Sequence, residues 1–171
     1  METSLNNIFM KINVLSCTIV CASFLSFQGM SQTKVKLVTL DPGHFHAALV
    51  QKTMLPDVDA TVHVYAPKSD DVQLHLDKIK GYNERKDNPT YWYEQVYLGD
   101  DFFNKMITEK KGNVVVMAGN NQKKTEYIKK SIDAGFNVLG DKPMAIDKTH
   151  FDMLKQAFTN AAKTSWFCMI S

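Results

Sequence analysis

From residue 35 onward, short apolar runs alternate with segments whose apolar residues recur every three or four positions. Val35 to Leu40 (VKLVTL) is a β-branched run suited to a buried strand. Asp41-Pro42-Gly43 breaks it, a helical segment follows from about His44 to Thr53, and Pro56 closes that unit. Thr61 to Tyr65 (TVHVY) predicts a second strand ended by Pro67, and Val72, Leu76 and Ile79 mark a helix from Asp70 to Ile79. Gly81 to Thr90 is polar and rich in breakers, so it reads as a loop. Tyr91, Trp92 and Tyr93 are expected to pack beneath that loop, ahead of a strand at Gln95 to Leu98. Asp100 is placed to cap a helix bearing Phe102, Phe103, Met106 and Ile107.

Val114 to Ala118 (VVVMA) is the clearest buried strand in the chain. After Gly119-Asn120-Asn121 the pattern predicts a helix with Ile128 and Ile132 inward, stopped by Gly135 in the C-cap place. Asn137 to Gly140 is a further strand. Asp147 caps a last helix whose Phe151, Leu154, Phe158 and Ala161 share one face. This alternation predicts an α/β fold of the Rossmann type, a doubly wound parallel sheet with helices on both faces, over residues 32–163. In such sheets ligands bind outside the carboxyl ends of the strands, where the strand order reverses. The chemistry is therefore expected at the turns Asp41 to His46, Ala66 to Asp71 and Gly119 to Gln122, with the segment after Leu139 beside them.

The first thirty residues differ. Ile12 to Phe27 carries no charge, follows Lys11 and precedes the small residues Gly29 and Ser31, the grammar of a secretory signal peptide cleaved near Ser31. This apolar stretch is shorter than the roughly 20 residues of a spanning helix, so residues 1–31 are expected to export the chain, to the periplasm or the medium, without leaving a stable membrane anchor. Of three cysteines only Cys168 would then remain, which excludes a disulfide framework. A hydrophobic content of 44% predicts a packed core. The net charge of +2 argues against a nucleic-acid partner, and the lysines at 123, 124, 129 and 130 read as the solvated face of a helix.

The first turn, LDPGHFHA, keeps one glycine of a dinucleotide fingerprint. Gly43 stands at the middle position, and Asp41 and His46 stand where the first and third glycines would be. Gly43 and the amides near His44, Phe45 and His46 are the candidates to hold a pyrophosphate at a helix start. Asp41 would oppose that charge unless it points away or caps backbone amides. His44 and His46 are two apart, so they would face one side in a strand and diverge on a helix; a metal site would need at least one further ligand, and no metal is expected. The second turn, YAPKSDD, has Ala66 where NAD enzymes usually place a ribose-binding acid. Lys68 and Ser69 could receive the extra phosphate of NADP, with Asp70 or Asp71 still in reach of a ribose; this tilts the reading toward NADP without excluding NAD.

The stretch VVVMAGNNQKKTEYIKKSIDAGFNVLGDKPMA resembles the glucose–fructose oxidoreductase, inositol dehydrogenase and MocA (Gfo/Idh/MocA) family. There, a strand and an asparagine-bearing turn lead through a helix to "AG-x-x-V-x-x-E-K-P-x-A". Ala134-Gly135, Val138, Lys142-Pro143 and Ala145 follow that order and spacing, and the resemblance spans roughly Val35 to Phe158. It implies an NAD(P)-dependent oxidoreductase acting on a sugar, polyol or related hydroxyl compound. It further implies Lys142 as the proton-handling residue beside the nicotinamide, Pro143 as the turn that aims it, often with a cis bond nearby, and Ala118, Gly119 and Asn121 along the cofactor. Asp141 replaces the usual Glu, Lys124 stands where a histidine is common, and Gly119-Asn120 stand where Thr-Pro is common.

The family adds a second α/β domain after this one, and the tail at 164–171 (TSWFCMIS) is expected to be irregular, the mark of a shortened chain without its full active site. Two alternatives stay open: a degenerate module that binds a nucleotide or sugar without turnover, and a glycoside hydrolase that uses bound NAD through transient oxidation. The sequence is silent on oligomeric state.

Overall fold

A computed structural model describes residues 34–161 and 167–170, and Lys34–Ser171 forms one compact unit. The expected signal peptide lies outside the described residues. Six strands, β1 (Leu37–Leu40), β2 (Thr61–Ala66), β3 (Tyr93–Leu98), β4 (Val114–Met117), β5 (Asn137–Asp141) and β6 (Phe167–Ile170), pair in the order β3-β2-β1-β4-β5-β6. Every pairing is parallel. Five helices connect them: α1 (His46–Leu49), α2 (Asp70–Glu84), α3 (Phe102–Glu109), α4 (Asn121–Asp133) and α5 (Lys148–Ala161). The predicted Rossmann-type sheet is present.

Period-two alternation sends the strands' side chains into two cores, as a sheet covered on both faces requires. Val38, Leu40, Val115 and Met117 pack with Met106 of α3, Ile128 and Ile132 of α4 and Leu154 of α5. Leu37, Val62, Val116 and Ala118 pack on the other face with Ala47 and Ala48 of α1, Ile79 of α2 and Trp92. Gly135 ends α4 at φ +85, with Phe136 N donating to Ser131 O and Gly135 N to Ile132 O, a Schellman closure. Asp147 caps α5 as expected: its Oδ1 accepts the His150 amide at 2.8 Å.

The departures have local causes. The helix expected from His44 to Thr53 shrinks to one turn, because Gln51 is drawn inward: its carbonyl accepts the Trp92 indole N–H at 2.7 Å and its side-chain amide donates to Glu94. α2 runs through Gly81 to Glu84, where a loop was expected. Asn83 holds it there, accepting from Thr90 Oγ1 and donating to the Trp92 carbonyl. Of the three aromatics only Trp92 is buried; Tyr91 and Tyr93 are exposed. α5 packs through Leu154, Ala157 and Ala161, which leaves Phe151 61% exposed rather than in the core. The tail is not wholly irregular, since Phe167–Ile170 pairs with Val138–Asp141. An apolar run beside the open edge of β5 satisfies backbone groups that the edge would otherwise leave to water.

Glu94 is the weak point of the core. One carboxyl oxygen accepts from Gln51, the other is buried without a partner, and burial raises its pKa to about 7. Because the folded value exceeds the unfolded one, its contribution is favourable below about pH 4.5 and is lost as pH rises through 7. Glu94→Gln is therefore expected to stabilise the fold by about 2–3 kcal/mol at pH 8 and by little at pH 5. Urea unfolding at the two pH values measures this; an equal effect at both would reject it.

Candidate functional site

The strand order reverses between β1 and β4, and their carboxyl ends are locked together there. The Ala118 carbonyl accepts the amides of both Gly43 (2.9 Å) and His44 (3.1 Å). Gly119, at φ +104, lies against Gly43 so closely that a Cβ on it would stand 2.5 Å from the Gly43 Cα. Asn120 Nδ2 donates to Asp41 Oδ2 at 2.6 Å, and both residues hold left-handed backbone, φ 43 and 44. Asp41 thus turns toward the Asn120 side chain, closing the turn with its carboxylate.

This lock changes the expected phosphate cradle. The Gly43 and His44 amides are spent on Ala118, so they are not the anion donors the sequence suggested; the amides of Phe45 and His46, at the start of α1, follow them. His44 stands before α1 rather than on it. Its ring therefore converges with that of His46, centroids 4.3 Å apart, instead of diverging.

Two cavities meet at Gly43 and His44, and the switch point lies between them. One, about 540 Å³, lies toward α2 and is lined by Phe45, Asp71, Leu74, His75 and Lys78 among others. Asp71 Oδ2 reaches to 3.8 Å from where a Cβ on Gly43 would be. Lys68 and Ser69 are exposed at the start of α2 and do not line this cavity. His75 in its wall is 4% exposed, both ring nitrogens lack a protein partner, and burial lowers its pKa to about 4, so the ring is neutral.

The other cavity, about 380 Å³, is lined by His44, His46, Gly119, Asn120, Asn121, Asp141, Lys142 and Pro143. The structure thus brings together most of the residues singled out in the sequence. The Lys142–Pro143 peptide is cis. Lys142 N donates to Asp141 Oδ1 at 2.8 Å. Asp141 is 3% exposed, and its Oδ2 lies 3.0 Å from His46 Nδ1 and 3.5 Å from His44 Nδ1. The third group that a metal site needed is therefore present.

Lys124 corrects the reading of a solvated lysine face: it is 1% exposed. Its Nζ donates to Asn121 Oδ1 (2.8 Å), Asp141 O (3.1 Å) and Lys142 O (3.5 Å). Burial lowers its pKa, and the Asp141 charge partly offsets that. The sequence did hold a signal, since Lys124, Ile128 and Ile132 fall on one helical stripe.

Residues 42–171 match the family described as "Oxidoreductase family, NAD-binding Rossmann fold". Among solved structures, a protein of Parabacteroides merdae assigned as an oxidoreductase is 56% identical, with a TM-score of 0.78, over 81% of this chain and 32% of that one. The fold is shared with scyllo-inositol dehydrogenase of Lactobacillus casei bound to NAD(H) and scyllo-inositol (18% identity, TM-score 0.54, 80% of this chain and 36% of that one). It is shared too with biliverdin reductase of Synechocystis bound to biliverdin and NADP+ (12% identity, TM-score 0.57, 79% and 37%). The chain spans about a third of the length of these structures. No curated protein matches it.

The lock yields a direct prediction. Gly119→Ala puts a methyl group into the Gly43 backbone at a φ that L-residues avoid, and is expected to cost about 3 kcal/mol or more of stability. Gly81→Ala, where a Cβ meets nothing within 4 Å, is the control and should be neutral or stabilising. Thermal melts of the two variants decide it; equal melting points would remove the lock from the account.

Proposed function

The chain belongs to the Gfo/Idh/MocA oxidoreductase family, with its NAD-binding Rossmann fold, and from that premise we propose that it forms the nucleotide half of a dehydrogenase acting on a hydroxyl group of a sugar or polyol. The observation that carries this reading is the pair of cavities meeting at Gly43, which crosses the switch point as an extended dinucleotide must. The α2 side accommodates the adenosine, and the side lined by Lys142 takes the nicotinamide and the substrate. Bound NAD supplies the hydride acceptor. Lys142 takes the proton from the substrate hydroxyl, and Asp141 Oδ1 holds the Lys142 backbone in place. Fold likeness to a scyllo-inositol dehydrogenase supports the substrate class.

Asp71 favours NAD over NADP. Its carboxylate lines the adenosine-side cavity, while Lys68 and Ser69 do not, so an additional ribose phosphate would face a negative charge. The spent amides of Gly43 and His44 favour the competing reading, a nucleotide-binding fold without function.

A fluorescence titration with NADH and with NADPH separates these. Saturable binding is expected, with NADH tighter by about tenfold or more, about 1.4 kcal/mol. Asp71→Asn should narrow that gap, and Lys142→Ala should bind almost normally. Absence of binding up to millimolar cofactor would leave the non-functional fold as the answer.

A further inference from the structure

We propose that His44, His46 and Asp141 form a binding site for one divalent first-row transition-metal ion. The β1–α1 turn supplies the His44 imidazole, the first residue of α1 supplies that of His46, and the end of β5 supplies the carboxylate. Their ligand atoms all lie within 4.8 Å of one another. His46 Nδ1 and His44 Nδ1 stand 3.0 and 3.5 Å from Asp141 Oδ2. Around an ion with ligands at about 2.0–2.2 Å, neighbouring ligand atoms in an octahedral or tetrahedral shell fall about 3.0–3.5 Å apart. The two separations from Asp141 Oδ2 match that shell, and the imidazole pair, within 4.8 Å, closes onto it by rotation of the rings.

The donor set selects the ion class. Two imidazole nitrogens and one carboxylate oxygen suit zinc, iron, cobalt or manganese better than the all-oxygen ions calcium and magnesium. Three protein ligands leave coordination positions open, here toward the cavity that Lys142 and Asn121 line, where an oxygen of a small molecule can enter.

The supporting shell is also in place. Asp141 Oδ1 is occupied by the Lys142 amide, which orients Oδ2 toward the histidines. The His44 backbone is pinned to Ala118 O, which fixes the ring that a helix would have turned away. A simple hydrogen bond between His46 and Asp141 accounts for one imidazole but leaves the approach of His44 to the same oxygen unexplained. Lys124 is the opposing charge, because an ammonium bonded to Asp141 O disfavours a dication nearby. Its Nζ is directed at carbonyl oxygens and Asn121 Oδ1, leaving Asp141 Oδ2 to the histidines.

The site does not rest on the cofactor reading, and the experiment keeps the two apart. The 171-residue chain, stripped with a chelator and free of nucleotide, is titrated with zinc by calorimetry and with cobalt by visible absorption. One equivalent is expected to bind, and zinc is expected to raise the melting temperature. His44→Ala and His46→Ala should each weaken binding by at least about a hundredfold and abolish the thermal shift, His44→Ala with an apo melting point near that of the parent. Asp141→Asn should do the same, and if it fails to fold the two histidine variants decide. Failure of both ions to bind, or binding that survives both histidine substitutions, overturns the proposal. A parallel NADH titration in excess chelator reports on the nucleotide site alone.

Discussion

One carbonyl oxygen organises the functional end of this molecule. Ala118 O, just past the end of β4, accepts two successive amides from the β1 turn, and the missing side chain of Gly119 lets the two backbones touch. In a doubly wound sheet the connections after the two central strands leave toward opposite faces at the switch point, which is what makes a crevice there. Here the tied turn forms the floor on which the two cavities meet at Gly43 and His44. The Asp41–Asn120 bond adds a second tie across the same seam.

The lock also sets the electrostatics. Pinning His44 before α1 brings both imidazoles over Asp141, while α4 delivers Lys124 beneath the same strand end. A buried carboxylate and a buried ammonium are each costly alone, and each is stabilised by hydrogen bonds here: Asp141 by the Lys142 amide and His46, Lys124 by two carbonyls and Asn121.

What the chain's pattern revealed and what it concealed divide along physical lines. The parallel sheet, the Gly135 stop and the Asp147 cap depend on local periodicity and capping chemistry, and all were legible. The length of α1 was not, because it is set by Gln51 meeting Trp92 and Glu94, partners forty residues away. Gly81 read as a breaker, yet Asn83 carries the helix past it through bonds to Thr90 and Trp92. In the site, Gly43 was readable from the fingerprint spacing, and Lys142-Pro143 came from the family resemblance. The roles of Lys124 and Asp141 were not, since each acts through a contact with a different element.

The eroded glycine turn takes on a different meaning in this light. The two fingerprint positions that lost glycine hold Asp41 and His46. Neither is idle: Asp41 closes the seam to Asn120, and His46 meets Asp141. A glycine at either place would leave the backbone free to approach a pyrophosphate but would remove one of these ties. Gly43 is the residue whose backbone Gly119 touches, and that contact demands glycine at 119. The turn therefore carries side-chain contacts at two positions where a dinucleotide fingerprint has bare backbone. Both histidines, Asp141 and Lys142 line one cavity, so the side chains that replace glycine chemistry in this turn are gathered at one end of the crevice.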